Sequence, residues 1–216
     1  MNRTSTALPS PAKAWNELRE GNVRFVAGTP RHRQDVDRRA ELVSQQFPHA
    51  ALFGCSDSRL AAEIIFDQGL GDLFVVRNAG QVISESVLGS LEYAVAVLHV
   101  PLILVLGHDE CGAVRAAIDS QSEDAPALPA HIAHLIEKIV PAVRRASGQA
   151  SSAFVNPTQV DAGDVGREHL KDTVTELLEQ SELISAAIAE GTLAIVGANY
   201  VLREGHADLS IVVGVI

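Results

Sequence analysis

A chain of 216 residues with 47% hydrophobic side chains is long enough to bury one substantial core, and a single α/β domain is the natural reading of that length. Its 17 basic against 27 acidic residues leave a formal charge of −10 without a basic stripe, which excludes nucleic acid and an anionic membrane surface as partners. No apolar run approaches the roughly 18 residues of a membrane span, and no apolar stretch links Arg3 to Lys13 as a secretory leader requires, so the expected location is the cytoplasm.

After a polar start, 11–26 reads as an amphipathic helix with Trp15, Leu18, Val23 and Phe25 set among charges. The charged stretch 31–45 reads as a second helix or an exposed arm, so 1–45 is expected to be an N-terminal helical arm ahead of an α/β core at 50–216. Runs at 50–54 and 73–76 have the length and apolarity of buried parallel strands, the first ending at Cys55 and the second at Arg77, Asn78, Ala79 and Gly80. Positions 84–100 are apolar on nearly every face, the pattern of a helix buried against both a sheet and a second subunit. Pro101 then opens the strongest strand, 102–106, which runs into Gly107 and His108.

A helix is expected over 111–118, a loop over 119–129, a helix over 131–145, a linker over 147–160 and one long helix over 164–189. A fourth strand at 193–196 and an edge strand at 209–213 complete the pattern. The alternation predicts a single domain, 1–216, in the α/β class: a mainly parallel central sheet of four strands plus an edge strand, flanked by helices. Ligands of such sheets bind beyond the carboxyl ends of the strands, and Cys55 and His108 each follow such an end.

The chain has two cysteines, and both stand in short polar motifs: Cys55-Ser56-Asp57-Ser58-Arg59 and Gly107-His108-Asp109-Glu110-Cys111-Gly112. Two thiolates and an imidazole suit zinc, which accepts sulfur and nitrogen in tetrahedral geometry and in catalytic sites takes three protein ligands plus a water. Cys55 and Cys111 are too far apart in the chain for a finger or ribbon, so a preformed fold has to bring them together. Two inert core thiols are the competing reading, since free cysteine is among the most buried residue types. A disulfide is the other, and nothing in the chain indicates an oxidising compartment.

The ordered set formed by Cys55, Asp57 and Arg59, then Arg77 and Asn78, then Gly107, His108, Cys111 and Gly112 resembles the β-class carbonic anhydrases, and the likeness spans most of the chain. The resemblance implies one Zn²⁺ per subunit held by Cys55, His108 and Cys111, with Asp57 paired to Arg59. It implies reversible hydration of CO₂ to bicarbonate and a proton by attack of zinc-bound hydroxide. In that scheme Asp57 accepts a hydrogen bond from the nucleophile while Arg59 keeps its carboxylate ionised and aimed away from the metal. In a closed, inactive form Asp57 would become the fourth ligand. Gln46 matches the substrate-binding glutamine of plant-like members, and Gly112 lets the backbone approach a small substrate. Leu52 stands where other bacterial members carry the tryptophan of an inhibitory bicarbonate site, although Arg77 and Tyr200 fit its other two places.

The resemblance further implies a homodimer with pockets at the subunit interface, or a homotetramer. Two alternatives share these motifs: a carbonyl sulfide or carbon disulfide hydrolase on the same scaffold, and a non-catalytic zinc protein closed permanently by Asp57. Of the remaining histidines, His131 and His134 are expected on a solvated helix face, and His32, His49, His99, His169 and His206 show no ligand spacing.

Overall fold

The computed structural model describes residues 9–31, 36–148 and 154–216; the polar start, His32 and the middle of the 147–160 linker lie outside them. Helix α1 (Pro11–Val26) has the boundaries its sequence predicts, and for a local reason: Ser10 caps it by accepting from the Lys13 amide at 3.2 Å, and Pro11 begins it without a donor to waste. Its inner face buries Ala14, Trp15 and Leu18. Gly21 lies so close to the Phe66 carbonyl that a Cβ would stand 1.8 Å from its oxygen, so only glycine permits this approach. Asn22 fixes the contact by donating to the carbonyls of Ile65 (3.1 Å) and Gly205 (2.9 Å) and accepting from the Ala207 amide (3.0 Å).

A short α2 (Val36–Glu41) follows, and then β1 (Ala50–Cys55), α3 (Ala62–Ile65), β2 (Leu73–Asn78), α4 (Glu85–Ala96) and β3 (Leu102–His108). The second half runs α5 (Gly112–Asp119), α6 (Ala130–Glu137), α7 (Val140–Ala146), α8 (Ala162–Gln180), α9 (Glu182–Ala189), β4 (Ala194–Tyr200) and β5 (Ala207–Val213). The strands form one sheet in the order β2-β1-β3-β4-β5. All neighbours are parallel except β5, which runs antiparallel to β4 from Ile195 opposite Val213 to Tyr200 opposite Ala207. The sheet therefore has five strands, and the expected edge strand is its fifth: β5 lies at one edge, hydrogen-bonded to β4 alone, with a register shift at Gly197 and Ala198.

β1 and β3 are buried at every position, as strands covered on both faces must be. Leu52, Leu104, Leu106 and Val196 pack with residues of α1, α5, α6 and α7, whereas Phe53, Ile103, Val105 and Ile195 pack with residues of α4, α8 and α9. The two central strands end side by side, and their carboxyl ends carry Cys55 and His108.

Three expected helices end differently. The 84–100 helix stops at Ala96, because His99 takes a left-handed backbone (φ 55°) and the Val100 amide returns to Ala94. The 131–145 helix divides at Lys138 and Ile139, where Pro141 can begin a new helix but cannot continue the old one. The 164–189 helix breaks at Ser181, whose backbone is extended and whose hydroxyl accepts from the Ile184 amide to cap α9.

Candidate metal centre

The centre forms where β1, β2 and β3 end. β1 delivers Cys55 and continues into the Asp57 loop, whose backbone is gripped from β2 by Arg77. The guanidinium donates to the carbonyls of Cys55 (2.9 Å from Nε) and Asp57 (2.6 Å from Nη2). β3 delivers His108, and the chain then reverses through Glu110, a non-glycine residue held at φ 51°, to bring Cys111 onto the start of α5. Asp109 ties this reversal to the end of β4: its amide donates to the Tyr200 carbonyl at 3.2 Å and its carboxylate accepts from the Leu202 amide at 2.9 Å.

The ligand atoms of Cys55, His108 and Cys111 lie within 4.8 Å of one another, and all three residues are buried. Three ligands of a tetrahedral zinc with Zn–S near 2.3 Å and Zn–N near 2.0 Å sit about 3.5–3.8 Å apart, so the spacing is compatible with one ion. Both cysteines are free thiols, which removes the disulfide reading. His108 supplies the sharper test: its Nδ1 is 2.7 Å from the Asp109 carbonyl, which fixes the proton there, while its buried Nε2, beside the Cys55 sulfur, makes no hydrogen bond of ordinary geometry among the described residues. A buried bare lone pair costs stability unless something fills it, and a cation is what two sulfurs and that nitrogen have in common as a partner. The donor set fits zinc.

The electrostatics run the same way. A hydrogen bond from Cys111 pushes the Cys55 thiol well below its ordinary value against the cost of burial, with His108 and the Gly80 amide, 3.3 Å from Sγ, adding to the effect. The same shared proton, together with burial, pushes Cys111 up, while the amides of Ala113 and Val114 in the first turn of α5 work against that rise. Burial opposes protonation of His108, but the neighbouring Cys55 sulfur outweighs it and raises the imidazole above its usual range. A cation between them would replace these shared protons.

Asp57 stands outside the trio. Arg59 holds both its oxygens, donating to Oδ1 through Nε and its backbone amide (2.9 Å each) and to Oδ2 through Nη2 at 2.7 Å. Those bonds keep the carboxyl well below the usual carboxylate range. Nη2 of Arg59 also reaches the Glu110 carbonyl at 3.2 Å, so the pair bridges the Cys55 loop to the His108–Cys111 reversal. Gly112 is exposed at the first position of α5, and a Cβ there would meet nothing within 4 Å.

Gln46 is not brought to the trio. It is exposed in the loop before β1, at the opposite end of that strand from Cys55, and six extended residues separate the two ends by about 17–20 Å. Of the three positions of an inhibitory anion site, Leu52, which departs from it, is core, Arg77 is committed to two carbonyls of the ligand loop, and Tyr200 is buried. The bracing role of Arg77 was not legible in sequence, although its place right after an apolar strand beside Asn78 was the available signal.

The carbonic anhydrase family pattern matches residues 50–207. The chain is 50% identical over 202 residues to carbonic anhydrase 2 of Mycobacterium tuberculosis, with 93% of each chain covered. It is 46% identical over 202 residues to a carbonic anhydrase of Mycolicibacterium smegmatis, again with 93% of each covered. Among solved structures, the Coccomyxa β-carbonic anhydrase in complex with acetazolamide aligns at TM-score 0.69 and 24% identity, over 97% of this chain and 90% of that one. A tetrameric β-carbonic anhydrase of Sordaria macrospora aligns at TM-score 0.67 and 23% identity, over 79% and 84%. At such identities these two likenesses speak for the fold.

Proposed function

Since the chain belongs to the carbonic anhydrase family and has the fold of its β class, we propose that it catalyses the reversible hydration of CO₂ to bicarbonate and a proton at a zinc held by Cys55, His108 and Cys111. The observation that carries this reading is the convergence of two sulfurs and the buried Nε2 of His108 beside an Asp57 that Arg59 holds by both oxygens. When bound, zinc supplies Lewis acidity that makes water a nucleophile near neutral pH.

Asp57, ionised and acceptor-only, takes a hydrogen bond from the nucleophile and turns a lone pair toward the carbon of CO₂. Arg59 keeps that carboxylate fixed and charged, and its bridge to Glu110 keeps Asp57 in register with the reversal bearing His108 and Cys111. The open space over Gly112 leaves room for a small substrate against the backbone. Two thiolates offset most of the cation's charge, so activity rises on the alkaline side of neutral. The closed form, with Asp57 as fourth ligand, requires the Arg59 pair to open. The sulfur-substrate and permanently closed alternatives gain nothing from these findings: the relatives at 46–50% identity are carbonic anhydrases.

The working unit under this reading is a dimer, and a tetramer in its larger form. A groove of about 510 Å³ runs along β2 and α4, lined by Phe74, Val76, Arg77, Val87 and Leu135, and beside it Tyr93 (46%) and Val97 (54%) remain exposed. Gln46 is too far from its own chain's Cys55 to touch the same substrate, so its substrate-binding role is one that a protomer performs at its partner's centre. A reducing compartment suits two thiolate ligands, and the cytoplasm is the proposed location; no helix among the described residues is long and apolar enough to cross a membrane.

The test is stopped-flow CO₂ hydration by protein of measured zinc content from about pH 6.5 to 9, the range around the pKa near 7 of zinc-activated water. A zinc-dependent rate rising with pH is expected. Full zinc with no hydration at any pH would overturn the proposal.

A further inference from the structure

His169 is the titratable side chain that the scheme above leaves unused and that the fold treats as if it mattered. It sits on α8, which contributes no ligand, and it is 2% exposed. Burial lowers its basicity, so the ring is neutral with one donor and one acceptor. Its Nε2 is 2.7 Å from the Gly80 carbonyl, which requires the proton on Nε2 and leaves the buried Nδ1 without a hydrogen-bond partner among the described residues. An orphan acceptor in the core is a cost, and the fold accepts it to place a donor on one carbonyl.

That carbonyl belongs to the residue whose amide donates to Cys55 Sγ at 3.3 Å. Gly80 has φ 78° and is wedged so tightly that a Cβ would stand 2.8 Å from the Ala113 Cβ and 3.0 Å from the Ile139 Cδ1. The surrounding turn is closed by Asn78, which donates to the Val82 carbonyl at 2.7 Å and accepts from the Val82 amide at 2.9 Å. Within that turn His169 is the side chain that holds Gly80 itself. Thr173, one helical turn on, reaches only the adjacent Gln81 carbonyl, at 3.4 Å, and bonds back to the His169 carbonyl at 2.9 Å.

We propose that His169 is a positioning residue of the metal centre: from α8 it fixes the Gly80 carbonyl and thereby holds the Gly80 amide against the Cys55 sulfur, so that the thiolate is aimed and stabilised by a helix outside the ligand set. The inference rests on Cys55 being a ligand. Partners one shell removed from a metal are worth about 10–100-fold in affinity when lost. A positional loss of this kind falls at the lower end.

The experiment compares zinc release to a chelator, and the sulfur-to-metal charge-transfer absorption of the cobalt-loaded protein, in wild type, His169→Leu, His169→Gln and Thr173→Val. Release about 10-fold faster and a shifted cobalt band in His169→Leu are expected, with wild-type behaviour restored in His169→Gln, whose amide keeps a donor at similar reach. Thr173→Val is expected to lower thermal stability without changing either metal readout. Unchanged metal readouts in a folded His169→Leu, or equal changes in Thr173→Val, would overturn the proposal.

Should His169→Leu not fold, nitrogen-15 labelled histidine in the wild type decides. An Nε2-protonated His169 whose signal moves on metal removal supports the proposal, and an Nδ1-protonated or unresponsive ring overturns it. Failure of the underlying ligand reading looks different: Cys55→Ser would then bind zinc like wild type and show the same cobalt band.

Discussion

The candidate metal centre and the surface crevice beside α8 are built on opposite terms. At the carboxyl ends of β1 and β3 the three clustered groups are buried and individually constrained, and one of them, His108 Nε2, makes no ordinary hydrogen bond among the described residues. Between α7, α8 and β5 lies an open crevice of about 700 Å³ lined by Arg145, Asp164, Arg167, Glu168, Lys171 and Ser210. Every cation in it already has a carboxylate: Arg145 pairs with Glu168 and Asp172, Arg167 with Asp164, and Lys171 with Glu168. Mutually satisfied, solvated pairs leave no unmet valence for a ligand, whereas converging lone pairs do. The proposed site is marked by lone pairs that are buried and converge, not by charge density.

The contrast breaks most visibly at the ligands. Cys55→Ser or Cys111→Ser is expected to weaken zinc binding by more than about 100-fold, beyond what outer partners account for, and to destabilise the fold; metal analysis after dialysis checks it. Zinc retained in full by either variant would place the centre elsewhere. Asp57→Ala should keep the metal and lose activity, by about 100-fold in kcat, since it removes an orienting acceptor and no ligand of the open arrangement. Unchanged turnover across pH would refute that role.

A smaller effect sharpens the comparison through pH. His169 is held neutral in the fold by burial, which the Gly80 carbonyl bond and then the charges of Asp172 and Glu176 only partly oppose, while in the unfolded chain it takes a proton near pH 6.5. Below that value the unfolded state binds more protons than the folded one, so stability falls as pH falls, by up to about 1.4 kcal/mol per pH unit from this group until the folded ring titrates. Denaturant melts at pH 7.5, 6.5 and 5.5 should show the loss, and His169→Gln should show less of it. In the crevice, by contrast, Lys171→Ala or Arg167→Ala is expected to change stability by no more than about 0.5 kcal/mol and to leave zinc content unaltered, because exposed pairs of this kind are nearly balanced by their hydration.

How much of this was legible in sequence divides along physical lines. The boundaries of α1 follow from Ser10 and Pro11, and the central strands from unbroken apolar runs, because caps and buried strands are written locally. The trio of Cys55, His108 and Cys111 was legible because each follows a strand end or begins a helix, where parallel sheets gather their ligands. Ser181 and Pro141 were the available signals for the two helix breaks, and the apolar periodicity running through both masked them.

Long-range geometry was not legible. Gln46 and Cys55 are neighbours in sequence but stand at opposite ends of an extended strand, while His169 and Gly80, distant in sequence, are hydrogen-bonded. The helix expected over 84–100, to be buried against the sheet and a second subunit, buries Val87, Leu91 and Ala94 within its own chain and leaves Tyr93 and Val97 exposed.

Under the proposed function two sulfurs and one imidazole hold a single zinc, with one position left to an oxygen. X-ray absorption at the zinc edge of the purified protein tests it directly. About one zinc per chain is expected, with two sulfur neighbours near 2.3 Å and two nitrogen or oxygen neighbours near 2.0 Å. A shell of nitrogen and oxygen alone, or protein that hydrates CO₂ without stoichiometric zinc, would contradict it.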